Sequence, residues 1–447
     1  MSRQSDCLVH RARAARWVAP GALAFAILCG GAPWAAPAPS ADWPEFRGPQ
    51  GNGHVPAPDQ GAPRGLPLTW SESEHVRWKT AIPHKGWSTP VISGNQIWLT
   101  TATPEGNDFF VLCVSADTGE VLHSQLLFHA DSPEPLGNEV NSYASPSPAI
   151  EPGRVYVHFG SYGTACLDTA TFQVLWQRQD LPCRHYRGPG SSVIHFENLL
   201  MLTFDGADFQ YTAALDKATG ETVWKTDRTT AWNDLDENGQ PKREGDFRKA
   251  FSTPIIIEHG GVTQMISLGS SAAFAYDPRT GQEIWSTRNE GYTPAARPVF
   301  GGGLAYLTTG RGTPELWAVR VDGHGDVTGT HVVWKNNTRC VPEEPSPLLA
   351  DGLLYLLSNN GILTCLDAAT GAEVWSERLG GSYEASLLFS DGRLYCFSVQ
   401  GKGSVLAAGR TPEVLAENRL DSGMMASPAV TGNALILRTK THLYRIE

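Results

Sequence analysis

Short apolar runs separated by Gly-rich turns recur along nearly the whole chain, as in "LLYLLS" (353–358) and "LTCLD" (363–367). Runs of this length bounded by turn residues predict β-strands. The run ending at Asp367 is followed by "AATGAEVW", and the phrase returns as "LDKATGETVW" (215–224) and "YDPRTGQEIW" (276–285), with a worn copy, "LDTATFQVLW" (167–176). Each copy predicts a β-hairpin. The Asp accepts hydrogen bonds from turn amides ahead of it, and the Gly supplies a positive φ that side chains resist. The closing Trp is an apolar anchor whose burial is worth roughly 2–3 kcal/mol. Nothing in the phrase is nucleophilic, so it is joinery and not chemistry.

Anchors in this register fall at Trp78, Leu122, Trp176, Trp224, Trp285, Trp334, Trp375 and Leu415, spaced by 44, 54, 48, 61, 49, 41 and 40 residues. That period belongs to propeller blades of four strands. Between the anchors lies a second mark, a small-residue strand opening such as "WSTPVI" (87–92), "FSTPII" (251–256), "AARPVF" (295–300) or "MASPAV" (425–430); eight openings accompany the eight anchors. The last unit holds only three strands, and "HVRWKTAI" (75–82) is the spare. Borrowing it completes the last blade and leaves no free sheet edge. The expectation is an all-β chain, an eight-bladed β-propeller over residues 66–447, preceded by a non-repetitive lead-in, 41–65, lying over its surface.

Arg3, Arg11, Arg13 and Arg16 precede the apolar run Trp17–Leu28 and a small, Pro-rich stretch, the pattern of a signal peptide over 1–40 with cleavage near Ser40. Twelve apolar residues are too few to span a bilayer, and no later segment is long and apolar enough to cross one. Lipidation at Cys29 is disfavoured by the bulk of Leu28 before it. Residues 1–40 carry four Arg and one Asp, so their removal takes the formal charge from −11 to −14. Such acidity argues against nucleic acid and against docking on an anionic membrane surface. Secretion or a periplasmic location is expected. The remaining cysteines, Cys113, Cys166, Cys183, Cys340, Cys365 and Cys396, contain no C-x-x-C and no adjacent pair. Three of them occupy the same place in different repeats, so buried thiols are expected; only Cys183 and Cys340 lie in corresponding loops.

The "LDxxTGxxxW" hairpin and its period resemble the pyrroloquinoline-quinone-like (PQQ-like) repeat family of β-propellers. "DWPEFRGPQGNG" (42–53), "WSESEHVRWKTAIP" (70–83) and "VDGHGDVTGTHVVW" (321–334) resemble a narrower secreted branch of it. The resemblance implies either of two things: a scaffold like the accessory lipoprotein of the outer-membrane barrel-assembly machinery, or a relative of the quinoprotein alcohol dehydrogenases. The latter hold their quinone between a Trp and a disulfide of adjacent cysteines, with a calcium ion on acidic and amide side chains and an Asp base. No adjacent cysteines occur here, and neither the calcium set nor the base matches any position.

In such a ring the loops entering each opening strand gather at one mouth of the channel. They contribute His84, Asn141, His185, Arg187, Arg248, Tyr292, Arg297, Glu343, Tyr383 and Glu384 as candidate ligand- or partner-binding residues. A solvated loop residue paired locally is the commoner explanation of each, and no local spacing makes His84 and His185 a metal site. Asp234, Asp236, Asn238 and Gly239 match the first half of a calcium-binding EF-hand loop, but its twelfth position is Gly245, a mismatch that favours a plain acidic loop. There is no G-x-S-x-G, no H-E-x-x-H and no P-loop. No cofactor is therefore expected, although PQQ or calcium would give the mouth a different role. The leading expectation is a non-catalytic scaffold binding a protein or envelope component; the alternatives are an atypical quinone oxidoreductase and a glycan- or small-ligand-binding propeller.

Overall fold

The computed structural model describes residues 43–58, 62–137, 139–312, 314–337 and 340–447. The expected signal peptide, its cleavage site and Cys29 lie outside them. Eight sheets form eight blades of an all-β propeller. In chain order their strands run 91–129 (blade 1), 149–178 (blade 2), 194–227 (blade 3), 255–288 (blade 4), 299–336 (blade 5), 348–378 (blade 6), 388–419 (blade 7) and 429–446 (blade 8). Blade 8 is completed by the strand Val76–Ala81, antiparallel to His442–Ile446. Blade 4 gains a fifth strand, Gly325–Asp326, parallel to its outer strand and supplied by the long hairpin of blade 5.

Hydrophobicity sorts the strands within a blade. Second strands such as Leu353–Leu357 are buried at every position, whereas outer strands such as Val174–Arg178 alternate between half-buried and exposed. The inner strands therefore face neighbours on both sides, and only the outer strand meets water on one. Apolar clusters fill the gaps between consecutive blades: Trp98 and Val155 meet between blades 1 and 2, Leu307 and Trp285 between blades 4 and 5.

The repeated hairpin supplies the polar fastening of these gaps. The indole N–H of Trp176 donates to the carbonyl of Lys217 at 3.0 Å, that of Trp224 to Pro278 at 3.0 Å, and that of Trp334 to Ala368 at 3.2 Å. Each acceptor lies in the hairpin of the next blade. The same indole covers the hairpin glycine: a Cβ on Gly371 would sit 2.7 Å from the Trp334 ring, and on Gly220 2.7 Å from Trp176. The residue two after each Trp then donates to that glycine's carbonyl, Arg178 to Gly220 at 2.8 Å and Thr226 to Gly281 at 2.8 Å. Trp78, on the borrowed strand, makes the same contact with blade 1 through Ala116 at 2.9 Å and Gly119, and so closes the ring. Trp375 reaches the Gly409 carbonyl at 2.9 Å. Trp285 departs from the pattern and donates to Gln264 of its own blade at 2.8 Å, because the next hairpin is the long one.

The worn copy explains itself by the same logic. Phe172 replaces the glycine and keeps its left-handed backbone (φ 61°), and the preceding anchor is Leu122 instead of Trp. With no indole to receive, the position is filled by the Phe172 ring, stacked on His123 at 4.5 Å.

The lead-in does not lie over the surface as expected. Residues 43–55 enter the channel at the end away from the mouth. Trp43 pairs with Ile92 of blade 1, the amide of Ile150 of blade 2 donates to the Pro44 carbonyl at 2.8 Å, and Gly53 and Val55 bracket Phe389 of blade 7 at 2.9 Å each. The hydrophobic effect favours this course, since Trp43 is wholly buried there.

Gly371 and Gly352 both have φ near +70° (71° and 75°), but only Gly371 lies under an indole; a Cβ on Gly352 meets nothing within 4 Å. Gly352→Ala should therefore cost only the left-handed backbone, about 1–2 kcal/mol. Gly371→Ala should cost more by about a further 1–3 kcal/mol of overpacking. Denaturant unfolding of the two variants side by side checks this, and equal losses would show that the indole carries no weight.

Candidate functional site

Seven of the eight opening strands are entered through a hydroxyl residue. Thr89, Ser147, Ser192, Thr253, Ser346, Ser386 and Ser427 are equivalent residues of blades 1–4 and 6–8. The amide of one donates to the hydroxyl oxygen of the next: Thr89 to Ser147 at 2.8 Å, Ser147 to Ser192 at 2.9 Å, Ser192 to Thr253 at 2.9 Å, Ser346 to Ser386 at 3.0 Å and Ser386 to Ser427 at 3.0 Å. The small openings thus form two runs of hydrogen bonds around the axis, one over blades 1–4 and one over blades 5–8. In blade 5 the hydroxyl is replaced by Arg297. Its amide still joins the second run, donating to Ser346 at 2.9 Å, but its side chain points down the channel. There it donates to the Pro254 carbonyl at 3.0 Å, the Phe46 carbonyl and the Glu45 carboxylate at 2.8 Å, pinning the lead-in.

Above this ring opens a cavity of about 300 Å³, floored by Phe46 of the lead-in and the hydroxyls of blades 1–4, 7 and 8. The walls differ by blade. Trp87 and Tyr292 stand over blades 1 and 5, which are opposite each other in an eight-membered ring, and Asn141 and Phe251 lie between them. Over blades 3 and 4, Arg187 donates to Asp246 at 3.2 Å, and buried Lys249 holds the same carboxylate. Burial opposes ionisation of Asp246, but Lys249 and Arg187 outweigh it and keep its carboxyl below the ordinary range.

Blades 5–7 carry the opposite charge. Glu344 and Glu384 share one amide, with Asn359 Nδ2 donating to them at 2.6 and 3.0 Å. Arg311 donates to Glu344 at 3.1 Å and pairs with Glu343 at 2.7 Å. Glu384 has no cation of its own. Burial, the charge of Glu344 and a hydrogen bond to it push the Glu384 carboxyl up to about 8. Glu344 is raised as well, by burial first, so the pair holds a proton at neutral pH.

Of the ten mouth candidates, Asn141, Arg187, Tyr292 and Glu384 line this cavity. The other six stand elsewhere. His84 is exposed and stacked on Phe110 at 4.5 Å. His185 is buried, its imidazole lowered to about 4 by burial, beside His158 and not near His84. Arg248 is fastened to Asp234 by bonds of 2.8 and 2.6 Å. Glu343 is at the rim on Arg311, and Arg297 lies in the channel interior, 2% exposed. Tyr383, 0% exposed, is part of the packing between blades 6 and 7. In the acidic loop, Asp234 is occupied by Arg248, while Asp236 accepts the amides of Asn238 and Gln240 at 2.9 Å each, so the loop folds on its own carboxylates. Among the described residues no group of three or more His, Cys, Asp or Glu is arranged to hold a metal ion.

Arg311 and Asn359 escaped the sequence reading because they lie in turns between second and third strands, which also open on the mouth. Glu344 escaped because its neighbour Glu343 carries the same chemistry; alternation along the loop decides which of the two faces the axis.

A family model described as "Outer membrane protein assembly factor BamB" matches residues 68–180 and 316–411. The chain is a PQQ-like β-propeller. BamB of Yersinia pestis is 22% identical to this PQQ-like propeller over 229 residues, 41% of the chain and 55% of that relative. The match thus spans about half the length of the relative. Among solved structures, BamB from Moraxella catarrhalis superposes with a TM-score of 0.56 at 10% identity, over 83% of this chain and 99% of that one. Quinohemoprotein alcohol dehydrogenase from Comamonas testosteroni gives 0.63 at 13% identity, over 91% and 80%. At such identities the superpositions show the shared fold of the PQQ-like propeller.

The raised carboxyl sets a pH dependence. Glu384 is protonated in the folded chain up to about pH 8 but ionises in the unfolded chain near its ordinary value of 4.5. Stability from this group is therefore complete below pH 4.5 and falls as pH rises toward 8. Glu384→Gln, which mimics the protonated acid, should match the wild type in melting temperature at pH 4.5 and exceed it at pH 8.5. Parallel melts at the two values check this, and a constant offset would contradict the shared proton.

Proposed function

We propose that this protein is a non-catalytic binding propeller of the cell envelope, engaging a protein or envelope component through the mouth above the hydroxyl ring. The observation that carries the reading is the convergence of Arg187, Glu384, Trp87 and Tyr292, from four separate blades, on one blind cavity. The relatives described as outer-membrane assembly factors support a protein partner. A PQQ-like propeller built as a scaffold needs its hairpins for joinery and its loops for recognition, and that is how the residues divide here.

The cavity does not fit the quinone of the dehydrogenases. All six described cysteines are buried free thiols. None lines the cavity, so the sulfur platform of those enzymes has no counterpart. A polycarboxylate in this space would face Glu344 and Glu384, while Arg187 and Arg311 are already engaged by Asp246, Glu343 and Glu344. Both carboxyls are already held by the one Asn359 amide, at 2.6 and 3.0 Å.

Capture of partners from an envelope extract on the immobilised chain tests the reading. Arg187→Ala and Tyr292→Ala should each reduce capture about tenfold or more, about 1.4 kcal/mol of binding, while shifting stability by no more than about 1 kcal/mol. Undiminished capture by both would overturn it. Added PQQ with calcium should leave the melting temperature unchanged; at a hundred times its dissociation constant a ligand stabilises by about 2.7 kcal/mol, and such a shift would overturn the non-catalytic reading.

A further inference from the structure

The acidic wall over blades 5–7 is two cations short. Glu343, Glu344 and Glu384 face a single guanidinium, Arg311, and a proton on the Glu344–Glu384 pair makes up only half of the shortfall. Arg187 and Lys249 across the channel are tied to Asp246 and supply nothing to this wall. A proton retained by a carboxyl pair at neutral pH marks a place where a permanent cation would bind in its stead.

The space beside the pair suits one kind of cation. Thr89, 1% exposed and lining the cavity floor, has a hydroxyl with no hydrogen-bond partner. Apolar and aromatic groups, Trp87, Tyr292, Met425 and Phe46, line the cavity together with polar ones such as Asn141 and Ser145. Aromatic faces stabilise ammonium groups and cover alkyl stems. The chain's formal charge of −11 steers basic partners toward it.

We propose that the Glu344–Glu384 pair receives the ammonium group of a lysine side chain from the partner protein, the stem lying in the cavity between Trp87 and Tyr292. This rests on the mouth being the binding surface. On insertion the shared proton leaves to solvent, and both carboxylates face the ammonium. Glu384 is then flanked by Glu344, Glu343 and Arg311, with Asn359 still donating to both members of the pair.

n-Butylammonium, the head and stem of lysine, is the probe, titrated calorimetrically into the whole chain in buffers of different ionisation enthalpy. Release of about one proton per ligand at pH 7 is expected, with affinity rising about tenfold from pH 6 to pH 7 and levelling above pH 8. Glu384→Gln should bind about tenfold or more weakly at pH 8, with no pH dependence. Binding without proton release, equal binding by Glu384→Gln, no binding, or binding of acetate in preference would each overturn the proposal. The wild-type proton count needs no variant, so it stands even if Glu384→Gln folds poorly. In the capture experiment, loss by Arg187→Ala with full retention by Glu384→Gln overturns the lysine assignment and leaves the mouth reading intact. Full retention by both variants overturns the mouth reading itself.

Discussion

Four of the eight blade junctions rest on one contact, the indole of one blade lying over the hairpin glycine of the next. Its three components act together. The ring buries apolar area, its N–H satisfies a turn carbonyl that would otherwise face the blade gap, and the glycine allows the close approach and the positive φ. A propeller blade is a strongly twisted four-stranded sheet that cannot bury both faces alone, so adjacent blades must be held at a set angle. The latch sets that angle on the outside of the ring, and the hydroxyl chain does so at the axis.

Fixing the blades at both radii leaves part of the mouth loops free of structural duty. That freedom is visible in their composition, and it allows a poorly compensated carboxyl pair to be tolerated. Elsewhere a buried acid such as Asp205 is matched at once by Arg228 at 2.7 Å. At the mouth Glu384 is left with an amide and a proton. A rigid frame tolerates such local cost because the surrounding contacts over-determine the position of the loop.

The repeat was legible because its physics is local. Asp, Thr-Gly and Trp within ten residues dictate a hairpin, and the spacing of the anchors counts the blades, including the borrowed strand at 76–81. The fate of polar residues in the connecting loops was not legible, since it depends on which radius of the ring each one reaches. Arg297 stands one residue before a proline like the serines it replaces, and only the axial position of that residue sends it into the channel. Tyr383 and Glu384 are neighbours, yet alternation buries the first between blades and turns the second to the cavity. The course of the lead-in was equally hidden, because a Gly- and Pro-rich segment without period carries no sign of the hollow that it fills.

The borrowed strand has a consequence for how the chain is made. Blade 8 joins residues 76–81, the first propeller strand to leave the ribosome, with 442–446, the last of the propeller strands. Seven blades therefore exist before the first strand has its partner, and throughout that interval its backbone donors and acceptors face outward, open to the wrong neighbour. The strand 442–446 is the clasp. A polypeptide stopped before it would hold nearly all of these sheets and still present two mutually complementary edges, the geometry from which one copy reaches into another.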